Sequence, residues 1–415
     1  MNHRWLIAVA AGALVAGTPA WAQNAAPTDS ALRRQQRTMD SLAAALRAMQ
    51  ARLDSLTRAR GDTAQGDELA ALRAAAGAAA GDTSAAAAAP RQARVGQNAL
   101  NPEISVTAIV HASVLRPGPQ TESFDAREFE FSFQSALDPL SYTKIFASIT
   151  EEGVEIEEGY AYWAGLPGHF RLDVGRFRQP LGELNRWHRH ALPEGELPLV
   201  HRAYLGEEGL AGTGAALYWP LPFSGRRGTY EWHLQVTKGT NEGLFLGGDR
   251  ASYLSQLSAF WQFSRSTYAL VSASGVYGTN PDTSLRTSLG VVAARVTWRP
   301  PAEATRREFT VRGELFALRR RFGGGGPSRL GGYLGAYARL GRQWIVGARA
   351  DYVESPDPLA RAHEWEVSPY LTFWQSEFVY LRAQFTHRRD PLGIDTERLS
   401  LHAVWAMGPH KHEIF

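Results

Sequence analysis

The sequence predicts an all-β chain: about sixteen antiparallel strands closing into a transmembrane β-barrel, preceded by an N-terminal α-helical coiled-coil segment. Four observations lead there. From residue 103 onward, apolar and polar residues alternate with a period of two. The alternating segments run roughly 9 to 13 residues, the length a tilted strand needs to cross a bilayer. The connections between them alternate between tight turns and mostly longer loops, as in barrels with one short-turn rim and one long-loop rim. Finally, the chain opens on an apolar run that ends like an export leader.

In that leader, His3 and Arg4 precede the apolar stretch Trp5 to Ala16, and Ala20 and Ala22 form an A-x-A cleavage pattern. Residues 1–22 are therefore expected to be a signal peptide. Residues 23–60 are expected to be a coiled-coil segment. Leu32, Met39, Leu42, Leu46, Met49, Leu53 and Leu56 recur at heptad spacing, with Gln35 as the polar gap. So short a helix is marginal alone and needs another source of association. Residues 61–102 are Ala-rich with few large apolar groups, which reads as a flexible linker. Residues 103–415 form the barrel.

Within the barrel, Phe129, Phe131 and Phe133 alternate with Glu128, Glu130 and Ser132, and Trp344, Val346, Ala348 and Ala350 alternate with Arg349 and Asp351. The segments fall at 103–114, 127–136, 141–151, 154–164, 168–177, 209–219, 229–240, 252–264, 266–278, 286–299, 307–319, 329–341, 342–353, 363–374, 377–388 and 396–407. Period two places Lys144, Arg171, Arg295, Arg312, Arg339, Arg349, Arg382 and Arg398 on the inner wall, with Asp173, Glu314, Asp351, Glu364 and Glu366 beside them. Residues 178–208 lack sustained alternation; a loop this long in a compact domain is usually functional or disordered.

Composition removes other classes. With no Cys, there is no disulfide scaffold, thiolate zinc site or Cys nucleophile. The 44 Lys+Arg and 41 Asp+Glu nearly balance, so nucleic acid is not an expected partner. Arg outnumbers Lys 41 to 3, a skew that together with abundant Ala reflects base composition more than a phosphate site. His111 and Ser113 share one strand face but lack the surrounding motif of a lipase-type dyad. His188 with His190, and His410 with His412, read as solvated pairs at exposed rims, without carboxylates at ligand spacing. No Walker-type loop is present. The expectation is no enzyme, no cofactor and no metal.

Asp173-Val174-Gly175-Arg176-Phe177-Arg178-Gln179-Pro180-Leu181-Gly182-Glu183 resembles the G-[KR]-[FY]-x-x-P-[FL]-G signature of the phosphate-selective porin O and P family. Glu158-Gly159-Tyr160-Ala161-Tyr162 and the ending Gly408-Pro409-His410-Lys411-His412-Glu413-Ile414-Phe415 are similar to further family patterns, the last carrying a terminal aromatic like the signal for barrel insertion. The resemblance covers roughly residues 103 to 415. It implies a homotrimeric, sixteen-stranded barrel whose third long loop folds inward to narrow the pore. Arg178, Arg186, Arg189 and Arg202 would then form the constriction, opposed by Glu183, Glu194, Glu196, Glu207 and Glu208.

The resulting expectation is a porin of the bacterial outer membrane, embedded in its lipid and passing small hydrophilic solutes by passive diffusion. Anions such as phosphate are favoured through the resemblance alone, because residues 103–415 carry a net charge of −1. The alternative is a structural anchor whose stalk tethers the membrane to the periplasmic layer, with peptidoglycan as partner.

Overall fold

The computed structural model describes residues 102–117, 122–222, 228–281, 285–322, 326, 328–357 and 360–408. The expected signal peptide, the coiled-coil segment, the linker up to 101 and the terminal residues 409–415, Phe415 included, lie outside the described residues. The rest is a closed barrel of sixteen strands. They are β1 (Glu103–Arg116), β2 (Glu122–Ala136), β3 (Ser141–Thr150), β4 (Gly153–Leu166), β5 (Phe170–Arg178), β6 (Ala211–Pro220), β7 (Gly228–Lys238), β8 (Ala251–Gln262), β9 (Thr267–Thr279), β10 (Leu285–Trp298), β11 (Arg307–Phe322), β12 (Ser328–Leu340), β13 (Trp344–Glu354), β14 (His363–Trp374), β15 (Val379–Arg389) and β16 (Asp395–Met407). Each pairs antiparallel with its sequence neighbours, and β1 closes on β16 from Val106 against Met407 to Arg116 against Glu397. Closure leaves no unpaired strand edge, the condition for a sheet to stand in hydrocarbon.

The barrel is apolar outside and polar inside. Leu315, Leu334, Leu371 and Leu401 are exposed, whereas Glu130, Ser132, Thr310, Arg312 and Gln384 are buried. That inversion of a soluble protein marks the outer face as lipid-facing.

One expectation needs correction. Strands reach further than alternation indicated: β2 starts at Glu122 instead of 127, and β11 runs to Phe322 instead of 319. Their ends carry Asp125 and Arg319–Arg321, charged residues that extend the ladder without an apolar face.

One connection dominates the interior. Residues 179–210 turn inward and carry α1 (Leu199–Leu205). Leu181, Leu184, Leu192, Leu199, Val200, Tyr204 and Leu205 pack against inward-facing Leu254, Val276, Leu289, Val291, Phe316 and Val353, forming a hydrophobic core inside the barrel. β8 to β13 are therefore apolar on both faces over part of their length.

The register makes a direct prediction. Leu334, exposed at the middle of β12, should cost about 2–4 kcal/mol when replaced by Arg. Ser113→Arg, which points into a water-accessible cavity, should cost far less. Folding titrations into lipid vesicles check this; equal costs would place the register one residue off.

Candidate functional site

The inward loop is held to the wall by charged and backbone groups from strands far apart in sequence. Glu314 Oε1 on β11 accepts from the backbone N–H groups of Glu183 (2.7 Å) and Leu184 (2.9 Å), and its Oε2 lies 2.8 Å from His201 Nε2. Gly182 makes this approach possible. Its φ is +66°, and a Cβ there would lie 2.6 Å from the Glu314 carboxylate. Asp351 accepts from Leu199 N–H, and Glu366 takes both bonds from Arg202 (2.8 and 2.7 Å). Arg127 forms a matching fork on Glu196 at 2.6 and 2.8 Å. Burial opposes charge on Glu196, but Arg127 holds it well below the usual carboxylate range.

These contacts fix where the expected constriction residues sit. Arg178 closes β5 instead of lying in the loop, and it bonds Glu157. Arg189 lies 3.6 Å from Glu128 and 3.4 Å from Glu208, and Arg202 is committed to Glu366. Arg186 lines a small cavity of about 230 Å³ together with Lys144 and Arg171. Arg178, Arg189 and Arg202 are thus each matched by a carboxylate within 4 Å.

Of the inner-wall residues, Arg171 pairs with Asp173 and Arg295 with Glu183. Arg349 faces inward but lines none of the cavities described below. It is fully buried behind the loop, bonded to Asp351, Glu366 and the carbonyls of Glu196 and Leu197. Arg398 lines the cavity on the long-loop side, while Arg295, Arg312, Arg339 and Arg382 line the one on the tight-turn side. Arg312 lies over the rings of Trp187 and Tyr337, and Arg382 over those of Tyr370 and Tyr380. Arg382 also donates to Thr372 Oγ1 and the Leu192 carbonyl. Among the described residues, Arg312, Arg339 and Arg382 have no carboxylate within ion-pairing distance.

Charge is therefore segregated across the loop. The cavity on the long-loop side, about 980 Å³, is lined by nine carboxylates and five arginines. The cavity on the tight-turn side, about 600 Å³, is lined by five arginines and two glutamates. Glu130, Glu158 and His188 line the small cavity and Glu157 the long-loop one, and His188 joins the three carboxylates into one layer.

His188 and His190 are not at a rim. His190 is buried, and Glu130 Oε2 lies 2.7 Å from His188 Nδ1 and 3.6 Å from His190 Nδ1. Burial alone would lower the His188 pKa, but Glu130, Glu157 and Glu158 raise it well above the ordinary imidazole value. The carboxylates missing from the sequence neighbourhood come from β2 and β4. Period two had placed Glu130 on the polar face, but nothing local paired it with a loop residue about sixty positions away.

No protein-family model matches the chain. An uncharacterized protein of Aquifex aeolicus (strain VF5) is 35% identical over 130 residues, which is 30% of this chain and 26% of that protein. The chain thus spans about a quarter of that relative's length. Solved structures share the architecture at low identity. An anion-selective porin from Comamonas acidovorans superposes with a TM-score of 0.54 at 9% identity, over 74% of this chain and all of that one. A loop L8 deletion mutant of OmpT, an outer-membrane protein of Vibrio cholerae, gives 0.53 at 7% over the same shares. Salmonella typhi OmpF in complex with daunomycin gives 0.52 at 8%, over 75% and 99%. The fold is that of the outer-membrane porins.

Proposed function

We propose that the chain is a porin of the bacterial outer membrane, a passive channel for small hydrophilic solutes with a preference for anions, phosphate among them. The observation that carries the preference is the set Arg312, Arg339 and Arg382 around the tight-turn-side cavity, none of which has a carboxylate within 4 Å among the described residues. A guanidinium fork matches phosphate oxygens in a bidentate way. The acidic long-loop side works against anion entry, so the preference belongs to the arginine side and not to the barrel as a whole. The phosphate-selective O and P resemblance points the same way. Its homotrimer, with the coiled-coil segment and linker on the periplasmic side, belongs to the same proposal.

A second reading has one observation in its favour. The apolar packing of the inward loop fills the part of the interior beside β8 to β13, as it would in a plugged membrane anchor tethered through its stalk. Planar-bilayer recording separates the two. The porin reading expects stepwise, ohmic conductance and, in a salt gradient, a reversal potential on the anion side. Insertion without conductance would leave the anchor.

A further inference from the structure

A second cluster lies where the tip of the inward loop, at Glu196, meets the seam that closes the barrel. His111 on β1 and His402 on β16 are direct register partners, with ring centroids 4.7 Å apart at 40°. Both are buried, at 7% and 4% exposure, and the Nε2 atom of each has no hydrogen-bond partner. An orphaned buried ring nitrogen is costly, and here two converge. The third group is Glu196 on the loop. A carboxylate oxygen of Glu196 and a ring nitrogen of each histidine all lie within 4.8 Å of one another.

We propose that His111, His402 and Glu196 form a binding site for a transition-metal dication of the zinc type. Two imidazoles and one carboxylate make a three-ligand set of the kind that leaves a fourth, open position. Imidazole donors favour zinc, copper or nickel over magnesium or calcium. A tetrahedral ion would draw the three donor atoms to about 3.3 Å apart, a contraction that side-chain rotation can supply.

The surroundings fit. His111 Nδ1 lies 3.0 Å from Asp125 Oδ2, so the proton on Nδ1 is held by the carboxylate and Nε2 is left with a free lone pair. Arg127 occupies two of the four lone-pair positions on Glu196 and leaves two for a metal. Its positive charge opposes the ion, and the Asp125 carboxylate offsets it. The His402 tip packs against Gly195, where an added Cβ would lie 2.2 Å from Nε2, so glycine is what lets the loop tip bring Glu196 up to the two rings. His111 and Glu196 also line the long-loop-side cavity, which provides an entry path. A bound ion would join β1, β16 and the loop tip.

Cobalt(II) titration of the refolded full chain tests the site, because tetrahedral coordination gives strong visible absorption that the hydrated ion lacks. The wild type should show these bands, and Zn²⁺ should abolish them by displacement. His111→Gln and His402→Gln should each weaken binding at least tenfold, and Asp125→Asn by a smaller factor. Ser113→Ala and His188→Gln should bind as the wild type does. If one histidine variant fails to insert, the other together with Glu196→Gln carries the test. Absence of the bands in the wild type, their persistence in the histidine variants, or their loss in His188→Gln would each overturn the proposal.

Discussion

Replacing Glu314 by Ala should release the inward loop from β11 and raise single-channel conductance severalfold without unfolding the barrel. The carboxylate is buried and serves three donors at once: two consecutive backbone N–H groups and His201. Removing the acceptor leaves these buried donors without it, and each orphaned buried polar group costs about 1–3 kcal/mol. The loop is not freed entirely. Arg202 still holds Glu366, Tyr204 still donates to the Leu330 and Glu354 carbonyls, and the leucine packing persists. The expected state is a loop loosened around 182–187, since His188, the His190 and Leu192 carbonyls and the Gly195 N–H keep their wall partners, with larger and noisier currents. Glu314→Gln keeps an acceptor for the two N–H groups and loses the charge opposite His201, so its effect should be intermediate. The checks are conductance in planar bilayers and protease cleavage within 179–210. If both match the wild type, the loop is fixed by its apolar packing and the carboxylate is secondary.

That partnership could not be read from the sequence, and the reason is physical. Alternation reports which face a residue occupies. Glu314, Asp351 and Glu366 all occupy the inner face the pattern assigns them. It does not report what lies opposite, because a loop partner 113 positions away leaves no local trace. Arg349 shows the consequence: its face is as read, but the loop covers it. A usable signal did exist. Leu289, Val291 and Ala293 on β10 alternate with Gly290, Val292 and Ala294, so both faces of that strand are apolar. A strand between lipid and water should not be apolar on its inner face. The density of Leu in 181–210 supplies the missing cover. The sixteen strands were legible because the bilayer imposes one rule on all of them, whereas each loop–wall contact is particular.

The double variant Arg312→Gln/Arg339→Gln should lower the anion-to-cation permeability ratio by about threefold or more. At roughly 5 Å in water-like dielectric, one unit charge is worth about 0.8 kcal/mol to a passing ion, close to a fourfold change in its local concentration. Counter-charges reduce this: Glu194 and Glu183 on the loop act on Arg312, but among the described residues no carboxylate lies within 4 Å of Arg312 or Arg339, and the cavity they line holds two glutamates. The loop-region arginines differ. Arg178 and Arg202 are each bonded to a carboxylate, so replacing them exposes a buried negative charge and disturbs the loop along with the ion path. Arg382 is unpaired but also supports the Leu192 carbonyl, so its replacement would mix structure with charge. Arg312 and Arg339 therefore give the cleaner test. Gln keeps most of the side-chain length, so conductance should change less than selectivity does. The measurement is the reversal potential in a salt gradient, repeated with phosphate replacing chloride. Phosphate should lose more than chloride, because it alone uses both arms of a guanidinium fork. An unchanged ratio would mean that ions pass away from these arginines, along the carboxylate layer of Glu130, Glu157 and Glu158, where cations would be favoured instead.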